Sequence, residues 1–215
     1  DYALFLLSFS DANTPTRTSL VKSDGELVRV VADGRIPALD DYTMSPKTFF
    51  TFTTTDGVSL NGWMIKPSAF DPSKKYPVIV SVYGGPTAQT VLNAWGGGGF
   101  LWHQMMAQKG YIVASIDNRG TGARGKEFSR IVYKHLGKWE THDQVEGAKY
   151  LASLPYVDGS RVRARRATRV ALKRWTLSKA NVGPMPRGAR KRITGSQVAH
   201  RTRMSLTGDA KARTR

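Results

Sequence analysis

Few side chains in this sequence stand where their type and spacing would do chemistry. Tyr83 is the first, in Val82-Tyr83-Gly84-Gly85-Pro86, directly after the apolar run Val78–Val82. A phenol just past the C-terminal end of a buried strand stands where α/β sheets place their sites. The two glycines let the backbone turn away behind it. The plainer reading is a tyrosine capping a core with its hydroxyl in water, and spacing alone favours that one. Arg119, in Asp117-Asn118-Arg119-Gly120-Thr121-Gly122, is the second candidate. Its guanidinium could clamp a carboxylate or pin a neighbouring loop by ion pairs, and the pinning role is the expected one. Trp95 and Trp102 could line a pocket, although core packing is the simpler expectation. His103, His135 and His142 lack metal-ligand spacing on any one element. We expect His103 on a helix surface, and His135 and His142 beside a loop or helix start. Gly96–Gly99 has the composition of a phosphate-cradling loop, but no Gly-Lys-Ser/Thr follows, so a P-loop is rejected. No cofactor and no metal is expected.

The elements that must position these residues can be read from patterning. Tyr2–Ser10 is an apolar strand, and Thr18–Lys22 and Glu26–Val31 flank the turn Ser23-Asp24-Gly25. Thr48–Thr54 and Val58–Ile65 form a second hairpin around Asp56-Gly57. Val78–Val82 and Tyr111–Ile116 are short continuous β-branched runs, expected of strands covered on both faces. A helix is predicted around Leu101–Lys109, ended by Gly110, and another from Trp139 to Leu154 with Val145, Ala148, Leu151 and Ala152 on one stripe. Strand, helix, strand, helix implies right-handed βαβ layering, hence an α/β sheet beside an antiparallel entrance.

Five short motifs then occur in one order. They are Lys74-Lys75-Tyr76-Pro77, Val82-Tyr83-Gly84-Gly85-Pro86, Gly110-Tyr111-Ile112-Val113-Ala114, Asp117-Asn118-Arg119-Gly120-Thr121-Gly122, and Leu136-Gly137-Lys138-Trp139-Glu140 with Asp143-Gln144. Together they resemble the catalytic domain of the prolyl oligopeptidase family, in its dipeptidyl peptidase IV branch. The resemblance covers about residues 40–162. It implies an α/β-hydrolase that cleaves peptides, often after proline or alanine, with a Ser-Asp-His triad. It also implies that Tyr83 gives one oxyanion donor, which reverses the plainer reading above. Residues 1–36 resemble the last blade of that family's β-propeller. The fold class expected is therefore a partial α/β-hydrolase sheet over 37–162, preceded by the last strands of a β-propeller and followed by a basic tail over 163–215.

The resemblance further implies a strand running into Gly-x-Ser-x-Gly. Such an elbow needs its glycines because the nucleophile sits on a strained turn between close-packed neighbours. Counting from Val157-Asp158-Gly159-Ser160-Arg161-Val162, the serine is expected at position 168, where Thr168 stands with Arg166 and Val170 in place of the glycines. Neither His200 nor Asp209 lies in a motif resembling the family's triad. Arg163, Arg165 and Arg166 would enter a central strand, where an unpaired buried charge costs several kcal/mol. Without the strands expected after Val162, Val78–Val82 would also be an unpaired, aggregation-prone edge.

Charge changes at the same place. The 215 residues carry 33 Lys+Arg against 16 Asp+Glu, a formal charge of +17. Residues 1–160 hold 16 Lys+Arg and 15 acids, whereas 161–215 hold 17 Lys+Arg and one acid, Asp209. With Trp175 as its only aromatic residue, the tail is too polar to offset the cost of ordering its backbone, and disorder is expected. A break in the reading frame near residue 162 would explain the loss of resemblance and the Arg-rich composition together. The alternative is a non-catalytic basic protein that binds nucleic acid or anionic surfaces non-specifically through 161–215. Trp175 alone could stack on a base, and no nucleic-acid recognition motif is present. At 40% hydrophobic residues the remainder can bury a core. The absence of cysteine excludes disulfides, thiolate metal sites and a cysteine nucleophile, and fits cytoplasm or periplasm alike. No apolar run is long enough to span a membrane. The first residue is Asp1, so a preceding segment is expected. The partner expected from the resemblance is a peptide substrate.

Overall fold

The structure is a computed structural model, and it describes residues 3–97 and 99–166. The first three strands, β1 (Leu4–Phe9), β2 (Arg17–Lys22) and β3 (Leu27–Ala32), form a separate antiparallel sheet in the order β1-β2-β3. Every residue of β1 and β3 is exposed, so this sheet has almost no core of its own.

A short 3-10 turn, Pro37–Leu39, leads to the second sheet. Its strands are β4 (Lys47–Thr53), β5 (Ser59–Ile65), β6 (Tyr76–Val82), β7 (Ile112–Asp117) and β8 (Val157–Arg166), in the order β4-β5-β7-β6-β8. The β4–β5 hairpin is antiparallel and turns at Asp56-Gly57 as predicted, with Gly57 donating to the Thr54 carbonyl at 2.9 Å. β5 pairs antiparallel with β7, while β6 pairs parallel with both β7 and β8. The parallel pairs require crossovers, and α1 (Phe100–Gln108) and α3 (Lys138–Ser153) supply them. A five-residue helix, α2 (Lys126–Arg130), lies between β7 and α3 and was not predicted. Its length is too short for any periodic signal.

All six residues of β7 are buried, in agreement with its continuous apolar reading. Its two faces differ in chemistry. Ile112, Ala114 and Ile116 join Leu60, Val78, Val80 and Leu151 in the main core, against α3. Val113 packs on the opposite face with Trp63, Ile65 and Ala107 of α1. By strand alternation, Ser115 and Asp117 share that second face. The apolar side of β7 therefore anchors the sheet, and its polar side projects toward the loop after β6.

Two expectations are corrected at β8. β6 is not an edge, because β8 pairs alongside it from Val78↔Val162 through Val82↔Arg166. Among the described residues β8 is the edge strand, and Arg163 on it is exposed rather than buried. The charge penalty is avoided because Val157 and Val162 point into the core while Arg163 reaches back to the Ser160 and Val162 carbonyls. The expected disorder of the tail, Thr168, Trp175, His200 and Asp209 all fall outside the described residues. No helix among the described residues is long and apolar enough to cross a membrane.

Candidate active site

Tyr83 follows the last residue of β6 and is 46% exposed. Among the described residues its hydroxyl has no protein partner, so the O–H is available to a ligand. Gly84 turns the chain with φ +71°, a region that favours glycine. A Cβ at Gly85 would stand 2.8 Å from the Tyr83 ring, so the missing side chain lets the loop fold back against the phenol.

This loop is clipped to its neighbour at two points. Thr87, at a strained φ of 62°, donates its N–H to the Gly120 carbonyl at 2.7 Å. Three residues on, Asp117 closes the second clip. One carboxylate oxygen accepts the Thr90 N–H at 2.8 Å and the Thr90 hydroxyl at 2.6 Å, and the other accepts the Val91 N–H at 3.0 Å. The network continues into the sheet. Thr90 Oγ1 lies 3.0 Å from Ser115 Oγ, the Ser115 hydroxyl donates to the Ser81 carbonyl at 2.8 Å, and the Trp63 indole donates to the Thr90 carbonyl at 3.1 Å. Asp117 is 4% exposed, so these bonds form where water competes poorly.

Arg119 is the centre of a buried ion cluster. Its Nη2 meets Asp143 at 2.6 Å and its Nη1 meets Asp56 at 2.7 Å, while its plane lies 4.2 Å from the Trp139 ring centroid. The Arg119 backbone N–H also donates to Asp143 at 2.6 Å. Burial works against the charged guanidinium, but the bonds to Asp143 and then Asp56 outweigh it and raise its pKa. At Asp56 the Thr54 hydroxyl and then Arg119 hold the carboxyl down at about 2. With every guanidinium nitrogen engaged within the cluster, Arg119 pins the Asp117–Gly122 loop, the role expected of it, and does not present itself to a substrate. Asn118 beside it is fully buried and bonds the Arg119 carbonyl at 2.6 Å, while Gln144 of α3 donates to Asn118 at 3.0 Å.

The remaining candidates separate. His142 joins the Arg119 cluster, with Nδ1 3.1 Å from Arg119 Nη2. His135 is exposed in the turn before α3. His103 corrects its expected surface position: it is 8% exposed, with Nε2 3.3 Å from the Ser81 hydroxyl. Trp95 packs on Phe100 at 4.8 Å, a packing role. Asp56, Asp117 and Asp143 carry the geometry of the site, yet sequence reading gave them no role. Asp117 and Asp143 lie inside the motifs that carry the resemblance, which is the available signal; Asp56 reads as an ordinary turn residue. No group of three His, Asp or Glu side chains among the described residues could hold a metal ion.

A mixed sheet with helical crossovers and a clipped loop at the C-terminal end of β6 is a partial α/β fold. Comparison with known families assigns it a class: the model of the prolyl oligopeptidase family matches residues 100–165. The chain resembles that family, in its dipeptidyl peptidase branch. Dipeptidyl peptidase 8 of Homo sapiens is 36% identical over 169 residues, covering 74% of this chain and 18% of the relative. A probable dipeptidyl peptidase 4 of Emericella nidulans is 39% identical over 128 residues, covering 59% of this chain and 17% of the relative. The crystal structure of Porphyromonas gingivalis dipeptidyl peptidase 4 superposes with a TM-score of 0.70 at 39% identity, covering 77% of this chain and 24% of that one. The chain thus spans roughly a fifth of the length of the curated relatives it matches.

Proposed function

We propose that this chain carries the first part of a serine-peptidase catalytic domain of the dipeptidyl peptidase kind, and that it is inactive by itself. The observation behind this reading is the exposed Tyr83 phenol on a loop held at two points by buried partners. A preorganised donor of that kind stabilises an oxyanion because it needs no rearrangement as charge develops. In the parent reaction, a serine oxygen attacks the peptide carbonyl while a histidine takes its proton, and Tyr83 donates its O–H to the carbonyl oxygen as that oxygen becomes negative. Residues 37–162 are the α/β-hydrolase part of this reading, and 1–36, with the isolated β1–β3 sheet, are the end of a propeller blade. The sequence has no Gly-x-Ser-x-Gly, and Thr168 at the expected position lacks flanking glycines. A frame break near residue 162 accounts for both. Translating the coding DNA in all three frames tests it: a Gly-x-Ser-x-Gly directly after that point in another frame supports the break, and its absence refutes it.

A second reading rests on the charge of 161–215, with 17 Lys+Arg and one acid. Such a segment binds nucleic acid or another polyanion by counterion release, with a steep salt slope. Deleting 161–215 should abolish salt-sensitive DNA binding; unchanged binding would exclude the reading.

A further inference from the structure

Lys47, the first residue of β4, is a buried cation that the proposed peptidase chemistry does not use. It is 7% exposed. No carboxylate and no hydrogen-bond acceptor among the described residues reaches its Nζ. What faces the ammonium is aromatic: Trp63 of β5 at 5.5 Å and Phe100 of α1 at 5.9 Å from the ring centroids. Trp95 packs on Phe100 at 4.8 Å with its ring tilted by 55°. Both ammonium distances lie just inside cation–π reach, about 6 Å, so the rings attract the ammonium without giving it a counter-charge.

The backbone beneath this side chain is fixed. Asn13 brackets Lys47, its Oδ1 accepting the Lys47 N–H at 2.7 Å and its Nδ2 donating to the Lys47 carbonyl at 3.1 Å. Gln104 of α1 brackets Ser45 in the same way, at 2.8 Å in both directions. The backbone that carries the amine is therefore tied to the Asn13 turn at Lys47 and to α1 through Ser45. The amine is not wholly sealed: among the described residues the unpartnered side-chain atoms out of reach of solvent are Ser45 Oγ, Thr121 Oγ1 and Gln144 Oε1, and Lys47 Nζ is not one of them. Burial lowers the pKa of the amine. The titratable groups on the surrounding elements are His103 on α1 and Asp11 on the turn bearing Asn13. β5 carries none. Asp11 Oδ1 is occupied by the Asn13 and Thr14 N–H groups, at 2.8 and 2.7 Å, and pairs with no lysine.

We propose that Lys47 is a nucleophilic amine that captures small aldehydes as an imine in the aromatic-walled seam between β4 and α1. A desolvated lysine lacking a counter-charge spends more of its time neutral than a surface lysine, and the neutral form is the nucleophile. Its lone pair attacks the carbonyl carbon, and a proton passes from nitrogen to oxygen to give the carbinolamine. Water then leaves with formation of the C=N bond, and no oxidant or reductant is consumed. An aromatic-walled site favours an uncharged aldehyde with an apolar body.

The test treats the whole chain with limiting benzaldehyde and cyanoborohydride, which fixes any imine as a secondary amine, and maps the product by peptide mass spectrometry from pH 6 to 9. Lys47 should be labelled several-fold ahead of the exposed Lys75 and Lys109 near neutral pH, its labelling curve lying at lower pH than theirs. Lys47→Met should remove the dominant product and leave the others unchanged. Labelling of Lys47 that only matches or lags the surface lysines overturns the proposal, and because this is read on the unaltered chain, a misfolded variant cannot rescue it.

Discussion

A single carboxylate oxygen of Asp117 accepts both the backbone N–H and the hydroxyl of Thr90, at 2.8 and 2.6 Å. The bond crosses from the end of β7 to the loop that begins at Tyr83, so the sheet sets the loop's shape. Replacing the carboxylate with an amide breaks this arrangement, because one of the two oxygens becomes an NH2 facing the Val91 N–H. Asp117→Asn should cost about 1–3 kcal/mol, the scale of leaving a buried donor unpaired. Hydrogen exchange of the Thr90 and Val91 amides should accelerate with it. Unchanged exchange at those amides would show that the loop is held elsewhere.

Arg119 should be the more sensitive position. Arg119→Met leaves Asp143, wholly buried, without its cation. Removing one partner of a buried pair typically costs about 3–5 kcal/mol, a large part of an ordinary domain's stability. Arg119→Lys should recover little, since an ammonium cannot meet Asp143, Asp56 and the Trp139 face together. Chemical denaturation of the two variants checks this. A lysine variant as stable as the parent would contradict it.

Gly120 and Gly25 separate two costs of a side chain. Both have positive φ, +96° and +90°, but a Cβ at Gly120 would lie 2.7 Å from Val132 Cγ1, whereas nothing stands within 4 Å of one at Gly25. Gly25→Ala should therefore lose only the left-handed backbone preference, about 1–2 kcal/mol. Gly120→Ala should lose that and about 1–3 kcal/mol more from overpacking. Equal melting temperatures for the two variants would refute the packing claim.

Acid should loosen the β4–β5 turn. Asp56 is held at about 2 by the Thr54 hydroxyl and then Arg119, and Glu146 at about 2 by Lys149 and then the Thr55 N–H. Both carboxyls are depressed on folding, so their stabilisation is fully present above their ordinary values of 3.8 and 4.5 and is lost as pH falls toward 2. Carbon-detected NMR titration should place both midpoints well below those ordinary values. Ordinary midpoints would contradict the bonds described.

The parts legible in the sequence were those with an uninterrupted period. Val78–Val82 and Tyr111–Ile116 read as buried strands because both faces are apolar, and the Asp56-Gly57 hairpin was marked by its turn. α1 was found, but its buried stripe is Phe100, His103, Gln104 and Ala107. Two polar members hid the inward side of the helix, and with it the burial of His103. Arginines argue against a central strand at β8; among the described residues it is an edge, where the exposed Arg163 is tolerated. Asp56 was opaque for a different reason. Its partner Arg119 is 63 residues away, and no local pattern signals a pair made by folding.

Labelling with a fluorophosphonate tests the central claim most directly, with intact dipeptidyl peptidase as the positive control. An oxyanion donor on Tyr83 with no attacking hydroxyl aligned to it should leave the purified chain unlabelled while the control reacts. A covalent adduct on the chain, mapped to Thr168 or to any serine and lost on heat denaturation, would mean that a working nucleophile is present and that the account is wrong.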